Sequence, residues 1–155
     1  MNRQRGFTFV EIAVVAAIVA VLASAALPLA SVTMKRTREI ELLRNLREIR
    51  TAIDKFKDAA DQKLISPNDI DNDADGYPPT LQILVDGVTP ANDTSGRKLR
   101  YLRRIPIDPM THTAEWGLRS SRDQPESRAW GGQNVYDVYT TFEGRALDGT
   151  NYRDW

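Results

Sequence analysis

A single carboxylate, Glu11, interrupts the apolar run from Phe7 to Ala30, and its placement is the clearest sign of chemistry in the chain. A carboxylate inside a spanning helix costs on the order of 3 kcal/mol by insertion scales, and more if it stays ionised without a partner. Such a group therefore faces protein or marks a function. Glu11 lies near the start of the run, where the helix dipole and a nearby amine could both stabilise it. Hydrolysis of the Gly6–Phe7 bond would create that amine: it removes Met1 to Gly6, makes Phe7 the new terminus and leaves Glu11 fifth in the shortened chain.

Elsewhere the reactive residue types are sparse. Asp71, Asp73 and Asp75 followed by Gly76 match the opening of a calcium loop, but the twelfth position, where a bidentate glutamate belongs, is Gln82. No flanking helix pattern supports that loop, and a solvated acidic turn is the competing reading. His112, the only histidine, sits in a Thr-His-Thr turn without a metal set around it. There is no cysteine, no phosphate-cradling glycine loop and no metalloprotease helix motif. No enzyme is expected. The chain has 21 basic against 21 acidic residues, and loss of Arg3 and Arg5 with the leader would make it slightly acidic, so no nucleic-acid partner is expected.

The elements that must carry these residues begin with the apolar run itself. As a helix, residues 7–30 would reach roughly 36 Å, enough to cross a hydrocarbon core of about 30 Å. Lys35, Arg36 and Arg38 follow it while Arg3 and Arg5 precede it, so charge alone does not set its orientation. Residues 31–65 continue with helix formers. Leu42, Leu46, Ile49, Ile53, Phe56 and Ala60 share one face, while Arg44 with Glu48 and Arg50 with Asp54 stand at helical neighbour spacing on the other. Pro28 lacks a donor for the carbonyl of Ser24 and crowds that turn, which predicts a kink or local loosening.

From 66 to 155 the pattern is that of a small exported domain. Thr80 is the candidate cap of a short helix with Leu81, Leu84 and Val85 on one face, and Gly87 is expected to end it. The segment Arg97–Arg104 interleaves arginines with Leu99, Tyr101 and Leu102, ahead of Ile105, and reads as packed chain with solvated arginine heads. Asp108-Pro109 reads as a turn. Strands are expected over residues 113–121, with Ala114, Trp116 and Leu118 on one side, and over residues 134–142, with Val135, Tyr136, Val138, Tyr139 and Phe142. The Gly131-Gly132 pair suggests a tight return between them.

The stretch "RGFTFVEI", running into an apolar helix with Pro28, resembles the class III signal segment of type IV pilins and type II secretion pseudopilins. "YPPTLQILVDG" and "LRYLRRIPIDP" resemble the G-type major pseudopilins of that superfamily. The resemblance implies an α+β pilin fold, in which a long amino-terminal helix, transmembrane in its first half, packs its second half on a small antiparallel sheet. It also implies that residues 1–6 are a leader cut after Gly6 by a prepilin peptidase, with methylation of the Phe7 amine. Glu11 then serves assembly, and Pro28 marks where the helix bends or melts within a filament.

The ending "DVYTTFEGRALDGTNYRDW" resembles the final loop of the G-type proteins, which in that family binds Ca2+; Glu143 and Asp148 fall where the family has ligands. The loop here is shorter and lacks a paired aspartate, and closure by packing of Tyr152 and Trp155 is the alternative. The function implied is a structural pseudopilin of a type II secretion system, polymerising from the bacterial inner membrane, single-pass, with residues 66–155 periplasmic. Its partners would be copies of itself, other pseudopilins or minor pilins, the prepilin peptidase and the inner-membrane assembly platform. The alternatives are a type IV pilus subunit for adhesion, motility or DNA uptake and, from another class, a membrane-anchored periplasmic binding or enzymatic domain.

Overall fold

The structure is a computed structural model that describes residues 7–70, 72–91, 95–127 and 129–155, with backbone alone at residues 25–29 and 72. One long helix, α1 (Phe9–Asp61), leads into a small domain with a short helix α2 (Leu81–Asp86) and two short strands, β1 (Gly117–Arg119) and β2 (Asp137–Tyr139). The chain forms two compact units that divide between Thr37 and Arg38, inside α1.

In the second unit the expected helix face is the core. Leu42, Leu46, Ile49, Ile53 and Phe56 are fully buried and Ala60 is half-buried. They pack with Leu84 of α2 and with Val88, Leu102, Trp116, Val135, Val138 and Tyr152. Because a helix returns every 3.6 residues, a stripe of this kind presents one continuous apolar surface and leaves the opposite side to solvent. α2 forms as its sequence predicts. Thr80 is extended at the N-cap position but its side chain makes no capping bond, Leu81 and Leu84 are buried, and Gly87 ends the helix at φ 83 with its N–H donated to the Ile83 carbonyl at 2.9 Å. A Cβ at Gly87 would sit 2.7 Å from the Leu99 carbonyl, so both the backbone conformation and the space require glycine.

β1 and β2 pair antiparallel, with Gly117 opposite Tyr139, Leu118 opposite Val138 and Arg119 opposite Asp137. The fold is therefore α+β, a long amino-terminal helix packed on a two-stranded sheet. Both strands are shorter than expected, three residues each. Ala114 is exposed, Trp116 is buried just ahead of β1, and Tyr136 and Phe142 face solvent. Side-chain bonds take over where the ladder stops. Asp123 accepts from the N–H groups of Ser120 (2.8 Å) and Gly131 (3.0 Å), and Asn134, fully buried, donates to the Ala74 carbonyl and to Ser121 Oγ, each at 3.0 Å. These bonds turn the chain out of the sheet after Arg119.

Gly117 has a steric reason of its own. The ring of Tyr139 lies across it, and a Cβ there would be 2.3 Å from the ring. The Arg119 guanidinium caps the same ring at 4.5 Å from its centroid.

Candidate processing and assembly segment

Gly6 and the leader lie outside the described residues, so the segment begins at Phe7. Thr8 stands immediately ahead of α1. Its Oγ1 accepts the Glu11 N–H at 3.3 Å and its carbonyl accepts the Ile12 N–H at 3.1 Å. This is the N-cap arrangement, in which a threonine oxygen satisfies an amide that the first turn leaves without a carbonyl. Thr8-x-x-Glu11 also has the spacing of a capping box, a signal that was readable in the sequence and that the motif reading passed over. The cap fixes where the helix starts, so it holds Glu11 in the first turn, where the dipole favours a negative charge.

Phe7 is 78 % exposed, and Glu11 and the apolar side chains from Phe9 to Leu22 are exposed as well. A helix whose large apolar side chains all lie open is one built to be covered by something else. α1 continues through Pro28, whose side chain lies outside the described ones. Among the described residues no helix is long and apolar enough to cross a membrane. The run with described side chains stops at Ser24, ahead of residues 25–29.

The candidate metal positions are arranged differently from a ligand set. Glu143 points at Arg153, 3.8 Å away, and its side chain is 82 % exposed. Asp148 uses Oδ1 to accept from Thr150 N–H at 2.9 Å and Thr150 Oγ1 at 2.7 Å, bonds that hold its carboxyl below the usual range. Among the described residues no three histidine, cysteine or acidic side chains are grouped to share an ion.

What closes the loop is packing. Tyr152 is buried, its ring meets Trp155 edge-on at 5.2 Å, and Trp155 Nε1 donates to Thr150 Oγ1 at 2.8 Å. At the earlier acidic loop, Asp71 lies outside the described residues. Asp75 is tied to Arg122 at 3.3 Å and Ser121 Oγ at 3.1 Å, and both bonds lower its carboxyl. Gln82 bonds Asp86 instead of facing that loop.

Several polar residues that hold the domain carried no motif. Glu39 is buried, and its Oε1 accepts from Leu147 N–H and the Tyr152 hydroxyl, each at 2.8 Å. Asp108, fully buried beside the expected Asp-Pro turn, accepts from Met110 N–H at 2.8 Å and from the Thr140 hydroxyl. Arg50 was expected beside Asp54 on the helix surface. It turns instead to Asp137 at 2.7 Å and donates to the carbonyls of Val138 (3.1 Å) and Trp155 (2.7 Å), because β2 brings two oxygens past this turn of the helix and the chain at Trp155 adds a third. His112 is exposed in its turn, with its N–H on the Asp108 carbonyl at 2.8 Å.

Residues 1–27 match the prokaryotic N-terminal methylation motif, the type IV pilin-like prepilin signal. No curated protein and no solved structure matches the chain.

Proposed function

We propose that this chain is a structural pseudopilin of a type II secretion system, anchored in the bacterial inner membrane by residues 7–30 and polymerised through them into a periplasmic fibre. The observation that carries the reading is the methylation motif over residues 1–27 on a chain whose first helix turn is capped by Thr8 and exposed at Phe7. Read whole, residues 7–30 have the length and apolarity of a span. The prepilin peptidase cuts after Gly6 and the Phe7 amine is methylated. In the fibre the Glu11 carboxylate of one copy meets the Phe7 ammonium of its neighbour, and each offsets the cost of burying the other. The pseudopilin reading is favoured over a type IV pilus subunit because the carboxyl-terminal loop is closed by Tyr152 and Trp155 in a chain without cysteine.

Intact-mass measurement on protein from its own host should show a chain that begins at Phe7 and carries one added methyl group. An uncut Met1 in cells with an active prepilin peptidase would remove the basis of this assignment. Glu11→Val should leave leader cleavage and membrane insertion intact and sharply reduce sheared fibres. Deletion of the gene should strand secreted proteins inside the cell. Loss of surface pili with secretion unchanged would favour the pilus reading.

A further inference from the structure

The stretches of chain at Ile65, Val88 and Leu99 lie side by side as an irregular ribbon, Ile65 pairing with Pro90 and Val88 with Leu99, both antiparallel. Val88 and Leu99 exchange both backbone bonds, at 2.9 and 2.8 Å, so the backbone groups of Lys98 and Arg100 point the other way. Those groups have no partner among the described residues, and residues 95–100 are exposed. The ribbon therefore ends in an open edge, and the edge is basic. Lys98 and Arg100, two residues apart, share a face over Gly87, where an added Cβ would meet Arg100 Cγ at 2.7 Å and Lys98 Cβ at 3.1 Å. Lys98, Arg100 and Arg103 line a hollow beside Asp86, and Arg103 also lines a second one with Arg44, Arg47, Glu48 and Lys55 of α1. Tyr101 and Leu102 line both, so the two form one groove. Six cations stand there against two carboxylates, in a chain whose charges balance overall, and Asp86 is already engaged by Gln82 at 2.9 Å.

We infer that this edge takes an extended acidic segment of another protein as an added strand, its backbone paired with Lys98 and Arg100 and its alternate carboxylates set on the cations of the groove. The inference stands apart from the filament reading. Two features select a peptide from among anionic partners. The open edge offers carbonyls as well as N–H groups, and a peptide strand answers both, whereas phosphate oxygens only accept. The aromatic ring in the groove, Tyr101, is half-buried and meets Phe56 edge-on at 5.5 Å, so it gives a nucleic-acid base no open face to stack on. Charge then selects the peptide. Lysine and arginine on an edge keep identical edges apart, because a second copy pairing there would set like charges opposite one another. An acidic strand turns the same guard into attraction.

The probe is a fluorescent peptide of alternating glutamate and threonine, about ten residues or roughly 33 Å when extended, titrated with the detergent-solubilised full chain and followed by anisotropy. It should bind. Lys98→Glu with Arg100→Glu should weaken binding at least about tenfold, and Arg44→Glu with Arg47→Glu about threefold. All four side chains are exposed, so the tryptophan transition in urea should not move in either variant. Two further peptides carry methyl groups on alternate backbone nitrogens, one on each set. A strand pairs along one edge, so one of the two should bind at least about tenfold more weakly than the other. Hydrogen exchange at the Lys98 and Arg100 amides should slow when the unmethylated peptide is added. Equal binding by both methylated peptides, or unchanged exchange, would reduce the contact to charge alone and overturn the added strand. Inorganic tripolyphosphate that displaces the probe at lower concentration than the unlabelled peptide does would make this a phosphate site. Amides at the edge that are protected without peptide and lose protection on dilution would put a second copy there. Either result, or no binding at all, overturns the inference.

Discussion

The unit that ends at Thr37 and the unit from Arg38 to Trp155 use the same apolar residue types to opposite ends. In the first, Phe9 is 86 % exposed and Ile18 55 %; in the second, Phe56 and Ile53 are fully covered. The second unit finishes its own burial, with Leu42, Leu46, Ile49, Ile53 and Phe56 lying under Leu84, Val135 and Val138. The first spends almost none of its apolar surface on itself. A helix that stays uncovered gains nothing for folding from its side chains, so their value must come from lipid or from neighbours.

The sharpest way to break that contrast is to truncate one large side chain in each unit. Phe56→Ala should cost the domain about 3–5 kcal/mol, the range for a fully buried phenylalanine, whereas Ile18→Ala should leave domain unfolding unmoved. Urea titration of the detergent-solubilised full chain checks both, because all three tryptophans, Trp116, Trp130 and Trp155, report on the second unit. A shift of the tryptophan transition by Ile18→Ala would show that the first unit does support the domain.

Next in size is Arg50→Met. It removes bonds to Asp137, Val138 and Trp155 at once and should cost about 2–3 kcal/mol in the same titration, since Asp137 then keeps Arg119 at 3.4 Å as its cation and the Val138 N–H at 2.8 Å. An unchanged midpoint would reduce the cluster to surface decoration.

Tyr152→Phe should cost about 1 kcal/mol and also change the pH dependence. Burial, and then its bond to the Glu39 carboxylate, push the Tyr152 phenol above its ordinary value of about 10. With the folded value raised, that contribution is complete below about pH 10 and is lost as pH rises from there toward the folded value. The alkaline fall in stability should therefore be shallower in the phenylalanine variant, and identical alkaline limbs would exclude this tyrosine as their source.

The smallest effect is expected at the carboxyl-terminal loop. A chelator should leave the Tm of the unmodified chain where it was, and Asp148→Ala should lower it slightly by releasing Thr150. A chelator-sensitive Tm would mean that the loop gathers an ion after all.

What could be read from residue order was periodic or local. The buried face of α1, the stop of α2 and the turn at Asp108 follow from spacing and from single-residue backbone preferences. The strand ends did not follow. Their termination depends on Asp123, Asn134 and Thr140 forming side-chain bonds to partners that sequence order does not announce. Arg50 shows the same limit. Its helical neighbour Asp54 was visible in the sequence, but Asp137, which binds it, is 87 residues away. At the amino terminus the processing motif was legible because a peptidase reads local sequence. The Thr8 cap was legible too, through its spacing to Glu11.

The bonds that tie α1 to the end of the domain also set an order of events in the cell. Glu39 finds Tyr152 across 113 residues, and Arg50 finds Trp155 across 105. Contacts of such sequence separation cannot form until the later partner has been made, and closing long loops is slow. Synthesis begins at the amino terminus, so Phe7 and Glu11 are made while Tyr152 is still to come. Leader removal needs only the early residues and can precede folding of the domain. A ribosome stalled before Tyr152 would thus leave an open domain, with the apolar stripe of α1 uncovered and available to chaperones or proteases.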